Sequence, residues 1–242
     1  MNNRTAMFLL GATLALGFAF SAHMISTAMV KMRRQNVIQV KGAAEMRVVS
    51  DVGYWQAEFR VRGPDVKAAY EKLEADRAVI EEFVKKTTPA EAVSLSAVDT
   101  RPVFKVNEKG YATEQIDGYV LNQSVEVSSG DVKSIEALSK AITSLLRAGV
   151  EIESKAPIYT IADIERFKKD LLEKATKNAY ERARILAQHS GGQVGSLKSA
   201  AQGIFQITKP NSTDISGYGE YDTDTIEKRM KAVVTLDFHV RE

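Results

Sequence analysis

The sequence predicts an α+β protein, an antiparallel sheet with packed helices, preceded by one N-terminal transmembrane helix. Residues 5–30 contain no Asp, Glu, Lys or Arg. Segments 55–62 and 234–241 alternate apolar and polar residues, as strands with one buried face do. Between them lie long segments with apolar residues at helical spacing. Alternating strands favour an antiparallel sheet over a doubly wound parallel one.

The first 35 residues are predicted to be a membrane anchor or signal segment, with residues 6–30 in the membrane. A helix rises about 1.5 Å per residue and a bilayer core is about 30 Å thick, so about 20 apolar residues can span it. A cleaved secretory signal is the alternative, with Arg4 as its basic start and Ala19-Phe20-Ser21 as a candidate cleavage site. Because apolarity continues past that site to Val30, we expect a retained single-pass anchor.

The charges beside this run bear on its orientation. Lys31, Arg33 and Arg34 follow it, whereas Arg4 and the N-terminus precede it. By the positive-inside rule this arrangement favours a cytoplasmic body. The absence of cysteine fits both the cytosol and an oxidising compartment without disulfides, so it does not decide the location.

The body, residues 36–242, is long enough for one sizeable domain or two small ones. Its clearest strand lies at 55–62, where four apolar residues alternate with four polar ones. Gly63-Pro64-Asp65 ends this strand and opens a helix to about Lys86, because Pro and Asp suit a helix N-terminus. Further strands are predicted near residues 38–40, 93–97, 103–106, 119–127, 194–199, 204–207 and 234–240, and further helices over about 131–147 and 162–189.

The two later helices have features of their own. Residues 127–140 align without gaps with residues 61–74 around a shared Asp-Val-Lys, which indicates either two related strand–helix units or the same cap arising twice. Gly149 and Gly191-Gly192 are natural stops for the two helices. Along the longer helix small or apolar residues recur every four positions, at Leu171, Ala175, Ala179, Ala183 and Ala187. We expect this face to pack in the core; an oligomer contact is the alternative.

Residues 209–225 are rich in turn formers and poor in aliphatics, so a mobile surface loop is predicted there. The loop carries four carboxylates, Asp214, Glu220, Asp222 and Asp224. Their spacing does not match a calcium-binding loop, and we expect a solvated acidic segment. The alternatives are weak binding of a divalent cation and a contact surface built with Tyr218 and Tyr221.

The sequence predicts no catalytic, cofactor-binding or metal-binding residues. His23, His189 and His239 have no ligand neighbour at metal-binding spacing, and the chain has no cysteine. The glycines at 191–195 follow a helix instead of opening one, so they do not form a phosphate loop. With 33 basic and 31 acidic residues and no basic block, the chain is not expected to bind nucleic acid.

Two alternatives to an assembly or partner-binding role depend on particular side chains. An envelope hydrolase would use carboxylates in or near the sheet, with Asp51, Glu58, Asp99 and Glu114 as candidates. Trp55 is expected to be a core anchor; a small-molecule or lipid-binding module would use it as a stacking platform instead.

Three segments together resemble SIMPL-domain proteins. The segment IQVKGAAEMRVVSDVGYWQAEFRVRG at 38–63 has a short Val-x-Gly strand, a charged turn, an Asp and a long alternating strand. Gly118-Tyr119 leads into a strand and an Asp-Val-Lys helix, and the long helix ends in AYERARILAQHSGGQVGSL at 179–197. The resemblance covers nearly all of residues 36–242.

This resemblance implies an α+β fold behind a signal or anchor, a periplasmic or outer-envelope location and, for some members, ring-like or channel-like oligomers. Family members are connected with oxidative-stress defence and host immune recognition, and no catalytic residues carry over. The family context outweighs the charge rule, so we expect a bacterial inner-membrane protein with its C-terminal domain in the periplasm, or a cleaved soluble form there. We expect it to act without catalysis and without a cofactor, as a homo-oligomer or by binding an envelope protein partner.

Overall fold

The computed structural model describes residues 3–33, 36–88, 92–212 and 218–241. Within these residues four α-helices and ten strands follow one another, and a 3₁₀-helix at Ile142–Ala148 extends the third α-helix. The helices are α1 (Asn3–Arg33), α2 (Val66–Lys85), α3 (Val132–Ala141) and α4 (Ile164–His189). The strands are β1 (Val37–Val49), β2 (Val52–Gly63), β3 (Val93–Leu95), β4 (Asp99–Val106), β5 (Ala112–Ser129), β6 (Ile152–Ser154), β7 (Ile158–Thr160), β8 (Gln193–Gln202), β9 (Gln206–Thr208) and β10 (Glu227–Arg241).

The predicted α+β class is confirmed. The pairings of β10 with β8 and β9, of β2 with β5, β6 and β7, and of β5 with β3 and β4 are antiparallel. One sheet has the order β1-β10-β8, with β9 also paired to β10. The other has the order β3-β5-β2-β6, with β4 also paired to β5 and β7 to β2. The short strands β6 and β7 are not among the predicted strands, because three residues are too few for an alternation pattern to be recognised.

The chain forms two compact units. Unit 1 comprises Met1–Ala44, Leu172–Gly203 and Ala232–Glu242, and unit 2 comprises Glu45–Leu171 and Ile204–Lys231.

Unit 2 is built on the second sheet and covered on one face by α2 and α3. The alternation at 55–62 places Trp55, Ala57, Phe59 and Val61 inward, each at most 1% exposed. They pack against the apolar faces of both helices, formed by Ala69, Leu73, Ile80, Val84, Val132, Ile135 and Leu138. Because burying one large apolar side chain contributes about 1.5–3 kcal/mol, this cluster is the main source of stability in unit 2.

The aligned Asp residues of the two strand–helix units serve the same structural role. The carboxylate of Asp65 accepts the Ala68 N–H at 2.9 Å, and that of Asp131 accepts the Ser134 N–H at 3.1 Å. Both are helix N-caps, one residue before α2 and α3. Hydrogen bonding to Ser134 lowers the pKa of Asp131. Gly149 ends the 3₁₀-helix with φ of 82°, as predicted for a stop.

In unit 1 the C-terminal part of α4 packs on β1 through its small residues. Ala175, Ala179, Ala183 and Ala187 are fully buried, which confirms the predicted core face. At Gly42 the helix approaches so closely that a Cβ would lie 2.2 Å from the carbonyl oxygen of Ala175. The small-residue stripe and Gly42 together allow this contact.

Helix α1 contains the predicted membrane segment. Residues Gly11–Met29 are long and apolar enough to cross a bilayer, and their buried share is 0%. At about 1.5 Å per residue such a segment is about 28 Å long, close to the thickness of a bilayer core. A secretory signal meets the same criteria, so both predicted alternatives fit this helix.

Candidate functional site

The four carboxylates proposed for a hydrolase lie at different places in unit 2. Asp51 accepts the Ala162 N–H at 2.7 Å, which is a structural contact. Asp99 pairs with Arg101 at 2.6 Å at the start of β4, while Glu58 lies in the middle of β2. Glu114 is exposed on β5, in the part of that strand that lies beyond the end of β2. In the described residues, no hydrogen bond or ion pair joins any two of these four side chains.

Trp55 is a core residue, as the preferred prediction stated. Its side chain is 0% exposed, and its Nε1–H donates to the Ser154 hydroxyl at 2.9 Å. That hydroxyl in turn donates to the carbonyl of Ser139 at 2.8 Å. A ligand cannot stack on a fully enclosed ring, so the alternative of a binding platform at Trp55 is wrong.

The acidic segment is only partly described, since Asp214 lies outside the described residues. Within the described part, Asp222 is buried, which corrects the expectation of a solvated carboxylate. Its backbone N–H donates to the Ile207 carbonyl at 2.8 Å, and that backbone contact holds the segment against β9. In residues 3–33, 36–88, 92–212 and 218–241 no group of three or more His, Asp or Glu is arranged to hold a metal ion.

Asp222 pairs with Lys228, and both side chains are 1% exposed, with Nζ and Oδ2 3.5 Å apart. Burial lowers the pKa of Lys228, and the charge of Asp222 opposes that change. Burial alone would raise the pKa of Asp222, but hydrogen bonds from Thr225 and the Asp224 N–H, with the charge of Lys228, lower it overall. The pair is closed to solvent and internally satisfied, so it has a structural role.

The first candidate surface is a two-stranded ribbon with exposed apolar side chains. It consists of residues 103–106 of β4 and 112–118 of β5. Strand β2 pairs with β5 only as far as Gly63 opposite Tyr119. Beyond that point the register joins β5 to β4 alone, with Val103 opposite Gly118 and Phe104 opposite Ile116. A turn at Asn107–Gly110 closes the ribbon, because the Asn107 side chain accepts N–H groups of residues 109 and 111.

The ribbon carries apolar side chains that the chain itself leaves exposed. Phe104 is 43% exposed and its partner Ile116 48%, while Val106 and Tyr111 are each 68% exposed. Directly opposite residues point to the same face of a sheet, so Phe104 and Ile116 share one face. A two-stranded hairpin is marginally stable in water unless an apolar face is covered. Among the residues that the structure describes, none therefore forms a surface that covers these ribbon side chains.

Strands β4 and β8 each carry a feature that protects a sheet edge against simple strand addition. Pro102 lies on β4, which pairs only with β5 in the described residues, and proline removes a backbone donor from that edge. Strand β8 carries Lys198 and pairs with β10 through two register shifts. Lysine and bulges are common devices that prevent edge-to-edge association. At the ribbon, the apolar face is thus better suited to contact than the β4 edge.

The second surface is an apolar groove of about 670 Å³ in unit 1, between α4 and β8. Leu197, Ala200 and Gln202 of β8 lie opposite Phe238, Leu236 and Val234 of β10, and form its floor. Its wall is one stripe of α4, Leu172, Thr176 and Tyr180, with Glu173 and Lys177 also lining it. Tyr180 contacts Phe238 edge to face, with ring centroids 5.7 Å apart.

The groove exists because one helix cannot cover three strands. A helix with side chains is about 10–12 Å wide, and strands are about 4.8 Å apart, so one helix covers about two of them. The close contact at Gly42 holds α4 over β1. The inner face of β8 is therefore left open, with Leu197 53% exposed.

Sequence reasoning identified neither surface. The strands at 103–106 and 194–199 were expected, but both surfaces depend on what covers a strand and not on its pattern. Glycines such as Gly42 and Gly118 mark positions where another backbone segment approaches closely. They do not show which face of a strand remains exposed.

The comparisons with known proteins concern the body of the chain. A family model described as "SIMPL: Protein of unknown function (DUF541)" matches residues 38–238. No curated protein matches the chain significantly.

Solved structures show only partial likeness. An amidase of the hydantoinase/carbamoylase family from Burkholderia phymatum is 14% identical, with a TM-score of 0.32 over 53% of this chain and 34% of that one. A de novo designed protein, Foldit4, is 23% identical, with a TM-score of 0.25 over 42% of this chain and 93% of that one. The C-terminal domain of the MgtC protein from Mycobacterium tuberculosis is 12% identical, with a TM-score of 0.22 over 43% and 87%. The chain spans about a third of the length of the amidase from Burkholderia phymatum.

Proposed function

Because the chain belongs to the SIMPL family, we propose that it is a membrane-anchored protein of the bacterial envelope that acts by self-assembly and not by catalysis. Its N-terminal apolar helix provides the anchor. We place the C-terminal domain in the periplasm, as family context suggests, and a role in stress defence is compatible with that place.

The ribbon is the observation that carries this proposal. Its exposed apolar side chains include Phe104 and Ile116, and they lie on a hairpin segment that pairs with no third strand in the described part of the chain. Both a hairpin of this kind and an exposed apolar cluster are stabilised when another surface covers them. A second copy of this chain is the occupant we propose.

The membrane favours such an assembly. Anchors confine every copy to one plane, which raises the effective concentration of one ribbon near the next. A contact that would be weak between free domains can therefore be populated between anchored ones. This supports a homo-oligomer in which modest apolar contacts between ribbons are sufficient.

We expect the full chain, solubilised in mild detergent, to have the native mass of an oligomer. Phe104→Ser with Ile116→Ser should shift that mass toward the monomer, because the apolar contact is lost. Truncating two central interface side chains should raise the dissociation constant by about tenfold or more. Native mass spectrometry at several protein concentrations measures this change.

The matched control is Val79→Ser with Leu146→Ser, which removes two apolar side chains of similar exposure, 41% and 54%, outside the ribbon. It should assemble like the wild type. A monomeric wild-type chain at all concentrations would refute self-assembly, and an assembled Phe104/Ile116 variant would exclude the ribbon as the contact.

The proposed orientation has its own test. A C-terminal alkaline phosphatase fusion should be active in cells, because that enzyme folds only outside the cytoplasm. The flanking charges of α1 favour the opposite result, so the experiment separates the two arguments. An inactive fusion, together with a fluorescent C-terminal reporter that works only in the cytoplasm, would place the body inside.

A further inference from the structure

We propose that the groove between α4 and β8 binds an acyl chain of a membrane phospholipid. This site is in unit 1, and the proposal rests on the proposed membrane anchor α1 but not on the ribbon or on self-assembly. The groove is lined mainly by apolar side chains, and its volume of about 670 Å³ lies within the range of small-ligand sites.

One end of the groove lies a short distance along the chain from the anchor. Helix α1 ends at Arg33 and β1 begins at Val37, so an extended chain holds Val37 within about 15 Å of the helix end. The carbonyl of Asn36 accepts the Val240 N–H at 2.9 Å. Phe238, in the groove floor, is two residues from Val240, about 7 Å along the strand. One end of the groove is thus close to the bilayer.

The surface of unit 1 at that end carries exposed apolar side chains. The last turns of α4 lie there, because the Ala187 carbonyl accepts the Gly192 N–H and a Cβ on Gly192 would lie 2.7 Å from Val240. Ile185 and Leu186 on these turns are 51% and 50% exposed. Exposed apolar side chains on a helix are typical of surfaces that rest in the interface of a bilayer.

Basic side chains lie beside the groove. Arg241 is exposed next to Gly195 of β8, at the same end of unit 1, and Lys177 lines the groove. Guanidinium groups bind phosphate well, and basic groups next to a membrane attract anionic lipids. A phospholipid can therefore place its phosphate near these side chains and one acyl chain between Tyr180 and Leu197.

The test uses the full chain reconstituted in vesicles of phosphatidylethanolamine and phosphatidylglycerol with a photoactivatable acyl chain. After irradiation, mass spectrometry maps the labelled residues. We expect label on residues 172–180 and 197–202 as well as on α1. Ala200→Trp fills the groove floor and should reduce the groove label by about tenfold relative to the α1 label, a loss of about 1.4 kcal/mol in binding.

Ser196→Trp is the matched control, because Ser196 lies on the same strand outside the groove lining. It should keep the wild-type labelling. Leu197→Asn is a second groove variant at a half-exposed site, and it should also lose label if Ala200→Trp does not fold. Label confined to α1 in the wild type would overturn the proposal, whether the groove is then empty or covered by a second copy. Equal groove labelling in wild type and folded groove variants would overturn it as well.

Discussion

Lys228→Met is expected to lower the free energy of unfolding by about 3–5 kcal/mol, because it leaves the Asp222 carboxylate buried without its cation. Both side chains are 1% exposed, so solvent cannot replace the missing charge. Thr225 and the Asp224 N–H still donate to Asp222, but two neutral donors do not balance a buried negative charge. Urea unfolding of the full chain in detergent, followed by the fluorescence of Trp55, measures the change in unit 2.

A second substitution should restore most of this loss. Lys228→Met with Asp222→Asn removes the charge and keeps a side-chain oxygen for the Asp224 N–H. Replacing a buried ion pair by neutral groups is often close to neutral in stability. Lys209→Met is the surface control: Lys209 pairs with Asp224 at 3.2 Å, both are mostly exposed, and its loss should cost less than about 1 kcal/mol. Equal losses for Lys228→Met and Lys209→Met would contradict a buried pair.

The buried pair of Asp222 and Lys228 could not be predicted from the sequence. Local features were predictable: the alternation at 55–62 produces β2, and Asp65 and Asp131 cap the helices that follow them. The composition of residues 209–225 indicated a solvated loop, but whether Asp222 is solvated depends on Lys228 and on the backbone of Ile207. Composition describes the solvent preference of a segment and not the surface against which it packs.

The ribbon and the groove could not be predicted from the sequence for the same reason, since both depend on how distant segments pack. The sequence predicts a strand that includes Phe104, yet its pattern is the same whether or not a third strand continues beside it. The groove joins Tyr180, Leu197 and Phe238 from three elements far apart in sequence, and its opening depends on where α4 rests. Gly42 determines that position, and its role becomes visible only when the distance to α4 is known.

Gly42→Ala is the second change for which we expect a large effect, a loss of about 3 kcal/mol or more in the free energy of unfolding. The added Cβ would lie 2.2 Å from the Ala175 carbonyl oxygen and 2.5 Å from the Ala179 backbone nitrogen. These are backbone atoms of a helix, so they cannot move aside as a flexible side chain can. Either α4 moves away from β1, or the strand shifts. Thermal unfolding followed by circular dichroism measures the loss.

Gly130→Ala is the matched control, since its Cβ would meet only the Asp51 carbonyl oxygen at 3.5 Å, an ordinary contact. It should change stability by less than about 1 kcal/mol. Because Ala175 and Ala179 are fully buried against β1 within one chain, the folded fraction of Gly42→Ala should keep the native mass of the wild type while it loses stability. A Gly42→Ala chain that unfolds like Gly130→Ala would contradict the close contact between α4 and β1.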